Sequence, residues 1–214
     1  MDLNKTAVKI VKTLDKTYPD APATYLDYQN PFEMLIVTIL SARATDAGVN
    51  KISPILFKKY PTPEKMAKAN LEEVGEIIRP LGAFNKKAGY IIGTSRLLVE
   101  RYGSKVPKTM EDLIAFPGVS RKTANVVLSV MFGRSEGIVV DTHVMRVTVR
   151  LGLSKHDKKP QKIEKDLMEL LPNHLWNDYA RLIGAHGRRT CKSRRPICIE
   201  CSLNKLCPSA ELEG

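Results

Sequence analysis

The chain is 214 residues long, 43% hydrophobic and 27% charged, the balance of a folded globule of one large or two small domains and not of a disordered chain. Its 34 Lys and Arg against 23 Asp and Glu give a formal net charge of +11, a field that draws polyanions, so nucleic acid and anionic membrane lead the candidate partners. Apolar runs such as Met34–Leu40 fall far short of the ~20 residues that span a bilayer, and Met1–Lys5 lacks a signal-peptide start, so an intracellular protein with unpaired thiols is expected.

Most of the chain reads as helix. Leu3, Ala7, Ile10, Val11 and Leu14 recur at three- and four-residue steps, an apolar helical stripe. Asn30-Pro31-Phe32-Glu33 supplies an N-cap, a first-turn proline and a capping-box acid ahead of an apolar run. Thr62-Pro63 and Asn70-Leu71-Glu72-Glu73 predict two further helix starts, and Asn85 is expected to cap a longer helix that ends at Gly103. Thr109 opens a short helix that stops near Pro117-Gly118, and Ser120 caps the next, which ends at Gly133. Further helices are expected near 142–151, 160–171 and 173–188. Only Ile138-Val139-Val140 reads as a strand, and one strand makes no sheet. The fold class predicted is all-α.

The segment Leu113–Ala124 carries the first chemistry. An apolar helix end, a Pro117-Gly118 turn and a helix starting at Ser120 form a helix-hairpin-helix, in which Gly118 removes Cβ hindrance. The second helix presents unpaired N–H groups and the positive end of its dipole, a seat for phosphate, although a plain αα-hairpin has the same outline. Lys122 falls in the first turn, where the dipole disfavours a cation. A neutral amine there is a nucleophile able to form a Schiff base with an aldehyde-level carbon, and the blander alternative is a phosphate contact. Asp141, after the apolar run Ile138–Val140, reads first as an N-cap, and a capping carboxylate can still steer charge. His143 is a further candidate base or a local hydrogen-bonder.

All four cysteines lie near the C-terminus, spaced Cys191-x6-Cys198-x2-Cys201-x5-Cys207. That grouping suits a single four-thiolate site for zinc or an iron–sulfur cluster, against the alternative of two disulfides or unrelated thiols. Only one C-x2-C pair is present, which tilts towards a cluster without deciding it. Lys192-Ser193-Arg194-Arg195, between the first two cysteines, is either a solvated basic loop or a patch whose charges a metal would fix for phosphate contact.

Taken in order, Leu40-Ser41-Ala42-Arg43-Ala44-Thr45-Asp46, Pro117–Val127, Val140-Asp141-Thr142-His143, His186-Gly187-Arg188 and the cysteine ending resemble the endonuclease III family over nearly the whole chain. The resemblance implies a bifunctional base-excision DNA glycosylase and AP lyase that removes oxidised pyrimidines from duplex DNA and cuts the abasic site by β-elimination. It implies two helical lobes with a DNA cleft between them: a six-helix barrel over 24–134, and a cluster-bearing lobe from 1–23 with 135–214. It also implies a [4Fe–4S] cluster on Cys191, Cys198, Cys201 and Cys207, and a nucleotide flipped out of the stack before attack. Carried over by position, Lys122 is the nucleophile and Asp141 stabilises charge on the sugar. Gly118, Val119 and Ser120 seat a phosphate, and Lys192 and Arg194 belong to the basic loop at the cluster. Arg43 stands where well-known members have glutamine filling the gap left by the flipped base, Ala83 replaces a leucine wedge, and Ser120 replaces a glycine. Arg43 also resembles a thymine-mismatch branch, which makes thymine or uracil opposite guanine an alternative substrate. A DNA-docking protein without catalysis needs neither Lys122 nor Asp141, and a zinc-stabilised module would be colourless. The expected partner is damaged or abasic duplex DNA, bound by a monomer, with no membrane association.

Overall fold

The computed structural model describes residues 2–210, and every regular element among them is helical. Chain contacts divide the molecule into two units, one running from Tyr25 to Arg134 and the other combining residues up to Thr24 with those from Ser135 onward.

The first helix, α1 (Leu3–Thr17), starts where the Asp2 carboxylate accepts from the amides of Asn4 and Lys5. Its buried stripe is the one the sequence marks, Ala7, Ile10, Val11 and Leu14.

In the unit from Tyr25 to Arg134, α2 (Pro31–Leu40) is buried along nearly its whole length. Asn30 accepts from the Glu33 amide, and Glu33 in turn accepts from the Gln29 amide at 2.8 Å, so the side chains of Asn30 and Glu33 satisfy two backbone donors at this buried end. Around α2 pack α3 (Asp46–Lys59), α6 (Phe84–Tyr102) and α8 (Arg121–Phe132). The short α4 (Pro63–Ala67) and α5 (Leu71–Ile78) lie against α6, and α7 (Met110–Ile114) leads into α8. Met34, Leu35, Ile36, Leu56, Ile78, Ile91 and Leu128 form part of its core.

The other unit adds α9 (Thr142–Arg150), α10 (Pro160–Leu170) and α11 (Trp176–Arg189) to α1. Val144, Val147, Ile163, Leu167, Tyr179 and Ile183 pack with the α1 stripe in a separate core. Arg181 ties α11 to the N-terminal segment through Asp15 at 3.1 Å and the Ala21 carbonyl at 3.1 Å, and Arg189 makes a two-pronged contact with Asp20 at 2.8 Å.

Three expectations are corrected. Ile138–Val140 is not a strand: Ile138 and Val140 are buried in the core while the backbone stays irregular, with no strand beside it among the described residues. Helix α3 is a full element that the sequence reading leaves out. Its Pro54 cannot donate to Asn50, and tolerance is gained by placing the ring on the exposed side. Asn85 does not cap α6. The helix begins at Phe84, two residues earlier than an Asn85 cap would start it, behind Ala83, a left-handed residue at φ 47° and ψ 30° with no side-chain cap.

Candidate active site

In the unit from Tyr25 to Arg134, the hairpin turn is built by Pro117 and Gly118. Gly118 has φ +76°, and a Cβ there would stand 2.6 Å from Cδ2 of Tyr90, so both the backbone and the neighbouring ring demand glycine. The Thr94 hydroxyl donates to the Pro117 carbonyl at 3.2 Å, and the Val119 amide closes the turn onto Phe116 at 3.1 Å. Ser120 caps α8 by accepting from the Thr123 amide at 3.2 Å. Among the predicted phosphate-seat residues, Val119 therefore spends its N–H inside the turn, whereas the amides of Gly118 and Ser120 have no acceptor among the described residues. Lys122 lies exposed in the first turn of α8, clear of the buried face formed by Ala124, Asn125, Val127 and Leu128.

Arg43 and Ala83 are in the same unit. Both are exposed, and both hold the left-handed backbone that non-glycine residues avoid, Arg43 at φ 55° and Ala83 at φ 47°. Arg43 occupies the turn between α2 and α3, where Thr45 caps α3 through the Gly48 amide at 3.1 Å.

In the other unit, Asp141 is the N-cap of α9 and accepts from the Val144 amide at 2.7 Å through Oδ1. Its Oδ2 lies 3.9 Å from the Arg188 guanidinium. His143 leans on Arg146 and on the backbone at Gly187, where a Cβ would come within 3.0 Å of the histidine Cβ. Burial, followed by Arg188, pushes the His143 pKa down against the opposing pull of Asp141.

All four cysteines are free and line one cavity of about 520 Å³ together with His186 and Arg150. Arg150 donates to the Cys191 sulfur at 3.3 Å, and the Leu203 amide donates to that of Cys201 at 3.4 Å. His186 Nε2 stands 3.7 Å from the same Cys201 sulfur, while its Nδ1 meets the Tyr18 hydroxyl at 2.9 Å. Burial holds the His186 pKa down at about 4, so the ring is neutral at neutral pH. No three His, Cys, Asp or Glu side chains among the described residues converge as a set for one bare ion. The basic loop is fixed from behind: Arg150 donates to the carbonyls of Lys192 at 2.7 Å and Ser193 at 3.1 Å, and Arg146 to those of Gly187 and Cys191. Lys192 and Arg194 are themselves exposed.

Residues 36–173 match the HhH-GPD superfamily of base excision DNA repair proteins. The endonuclease III of Synechocystis is 47% identical over 205 residues, covering 96% of this chain and 93% of its own. The chain belongs to the endonuclease III family. Two solved endonuclease III–DNA structures have the same fold, each with a TM-score of 0.89 and covering 97% of this chain and 96% of theirs. One is a non-covalent complex at 39% identity, and the other is a trapped covalent intermediate at 40%.

For this endonuclease III homologue, the hairpin, Lys122, Arg43 and Ala83 fall in one unit, and Asp141, the cysteines and the basic loop in the other. The sequence reading did not find Arg146 and Arg150. Their four-residue spacing among the valines of α9 was the available signal, one face of the helix aimed at carbonyl groups instead of solvent. Tyr90, packed over Gly118, carried no signal at all.

Proposed function

We propose that this chain, a base-excision DNA glycosylase and AP lyase by family, removes oxidised pyrimidines from duplex DNA with Lys122 as its nucleophile. The observation that carries the reading is Lys122 itself, an exposed amine in the first turn of the helix that follows the Pro-Gly hairpin. Its Nζ attacks C1′ of the flipped nucleotide, and the glycosidic bond breaks with its electron pair leaving on the base. The amine then loses its proton, the sugar ring opens, and an imine forms. Loss of a C2′ proton expels the 3′ phosphate and cuts the strand. Asp141 stabilises the positive charge that develops on the sugar. Support comes from the division of labour between its oxygens: Oδ1 is committed to the α9 cap, whereas Oδ2 meets the Arg188 guanidinium at a distance of 3.9 Å.

The amides of Gly118 and Ser120 receive a backbone phosphate, with Val119 holding the turn that aims them. Arg43 and Ala83 meet the space and the strand opposite the flipped nucleotide, and Lys192 and Arg194 contact phosphates. Cys191, Cys198, Cys201 and Cys207 hold a [4Fe–4S] cluster. The donor set fits it: four thiols ring one cavity, and N–H groups of Arg150 and Leu203 reach two of the sulfurs, as suits bound thiolates. When bound, the cluster supplies a cross-link that fixes the loop between Cys191 and Cys198. The two units are proposed to be the barrel and cluster domains of the family.

Borohydride trapping tests the reading on duplexes carrying thymine glycol or a thymine·guanine mismatch, with Lys122→Gln beside the parent. The expected result is a covalent adduct with the parent alone, formed faster on thymine glycol. Faster trapping on the mismatch assigns the substrate to the alternative branch that Arg43 resembles. Specific binding without adduct or base release overturns the catalytic role of Lys122.

A further inference from the structure

Lys87 is a buried charge that this chemistry leaves unused. It lies on α6 with 4% exposure, and among the described residues its ammonium makes one hydrogen bond, donated to the Leu81 carbonyl at 2.9 Å. Among the described residues no carboxylate pairs with it, and burial alone pushes its pKa down. A lone ammonium in this setting is unfavourable, and a methionine of similar length would fill the volume without desolvating a charge. Volume alone therefore does not account for a lysine here, and its hydrogen bond is the feature left to explain it.

What the ammonium holds is the last carbonyl of the 3-10 turn Arg79–Leu81. The next two residues both have positive φ: Gly82 at 66° and Ala83 at 47°. No side chain caps α6 behind Ala83. Other ties across the turn are the backbone bonds Gly82 N–H to Arg79 at 3.4 Å and Lys87 N–H to Ala83 at 3.0 Å, and the Arg79 guanidinium 5.6 Å from the centre of the Phe84 ring. A left-handed alanine is disfavoured and persists only where its surroundings fix it. Lys87 grips the turn at two points, through its side chain on the Leu81 carbonyl ahead of that alanine and through its backbone on the carbonyl of Ala83 itself.

We propose that Lys87 is a positioning residue: its ammonium fixes the Leu81 carbonyl and so holds the Gly82-Ala83 turn in the one conformation that presents Ala83 to the DNA strand opposite the lesion. The inference rests on the proposed DNA contact of Ala83. Lys87 touches no substrate, so its effect is on how well a preformed turn meets the duplex, an interaction that enters binding before chemistry.

The test compares Lys87→Met, Lys87→Arg and Ala83→Asp with the parent on a damaged duplex. Hydrogen exchange of the free proteins gives a readout that does not depend on activity. Lys87→Met is expected to raise KM about 10-fold while kcat changes by less than about twofold. Its amides at 82–84 should exchange faster by more than any change in its melting temperature accounts for. Lys87→Arg, which keeps a donor, should recover part of the KM. Unchanged KM and exchange in Lys87→Met overturn the proposal, as does a loss of kcat and KM that merely tracks a lower melting temperature. Should Lys87→Met not fold, the exchange and KM of Lys87→Arg decide: values like the parent's support the donor role, and values moved in step with stability overturn it. Ala83→Asp separates the two claims. A raised KM there with an unchanged Lys87→Met removes only the lysine's role, whereas an unaltered KM in Ala83→Asp removes the DNA contact on which it depends.

Discussion

At Gly118 two independent demands meet, a backbone at φ +76° and the Tyr90 ring lying where a Cβ would go. Gly118→Ala should cost about 1–2 kcal/mol from the left-handed backbone, with a steric contribution on top. Tyr90→Ala removes the ring, so in the double variant the steric part disappears and the backbone part remains. A double-mutant cycle read by urea unfolding should therefore show coupling of about 0.5–3 kcal/mol. Additive effects would mean that the ring yields freely and that φ alone demands the glycine. The glycine was legible in the sequence, because a Pro-Gly pair between two helices requires a turn. The tyrosine was not, since it lies 28 positions upstream on a helix face that the pattern marks as exposed. Arg43 and Ala83 were legible only as departures from a family pattern. Their shared left-handed backbone is a property of the turns, which no side-chain periodicity encodes.

Helix starts were the most readable elements, since capping is local chemistry. Asn30, Thr62, Asn70, Thr109, Ser120 and Asp141 all accept amide bonds from the first turn they precede. The misses have different causes: α3 carries a proline within it that breaks the helical pattern although Thr45 caps its start, and α6 starts behind an alanine whose conformation is imposed from Leu81 and Lys87. Helix α9 shows how an element can serve a loop distant in sequence. Its Arg146 and Arg150 hold four carbonyls from Gly187 to Ser193, which frees Lys192 and Arg194 to face solvent. If those two contact one phosphate each, Lys192→Gln with Arg194→Gln should reduce the slope of log affinity against log salt by about 1.8, at about 0.9 per phosphate. Arg150→Gln leaves both charges in place but releases two carbonyls, so a smaller loss in the same direction is expected. Titrations with undamaged duplex over a range of salt read both, and an unchanged slope in the double variant would remove the loop from the DNA interface.

On the scale of the whole molecule, the chain leaves one unit at Thr24, completes another by Arg134, and returns. The two have separate cores with no residue in common: one is drawn from Leu26 to Leu128, the other from the N-terminal helix and the residues after Ile138. The inserted unit is continuous in sequence, and its central helix α2 is buried against partners lying wholly within it. It holds enough apolar surface to fold by itself, about 110 residues being an ordinary domain size. The other unit depends on α1 meeting α11 across more than 150 residues of chain, through Arg181, Arg189 and the Tyr18–His186 contact. A fragment spanning 25–134 should therefore melt cooperatively, with amides of α2 and α8 protected from exchange. A fragment beginning at 135 lacks the α1 stripe, leaving Tyr179, Leu182 and Ile183 without their cover, and should show no cooperative transition until a peptide of residues 1–24 is added. A fragment 25–134 that exchanges without protection would show that its core is completed by residues beyond it. Lys122 and the hairpin would then rely on the whole chain for their geometry.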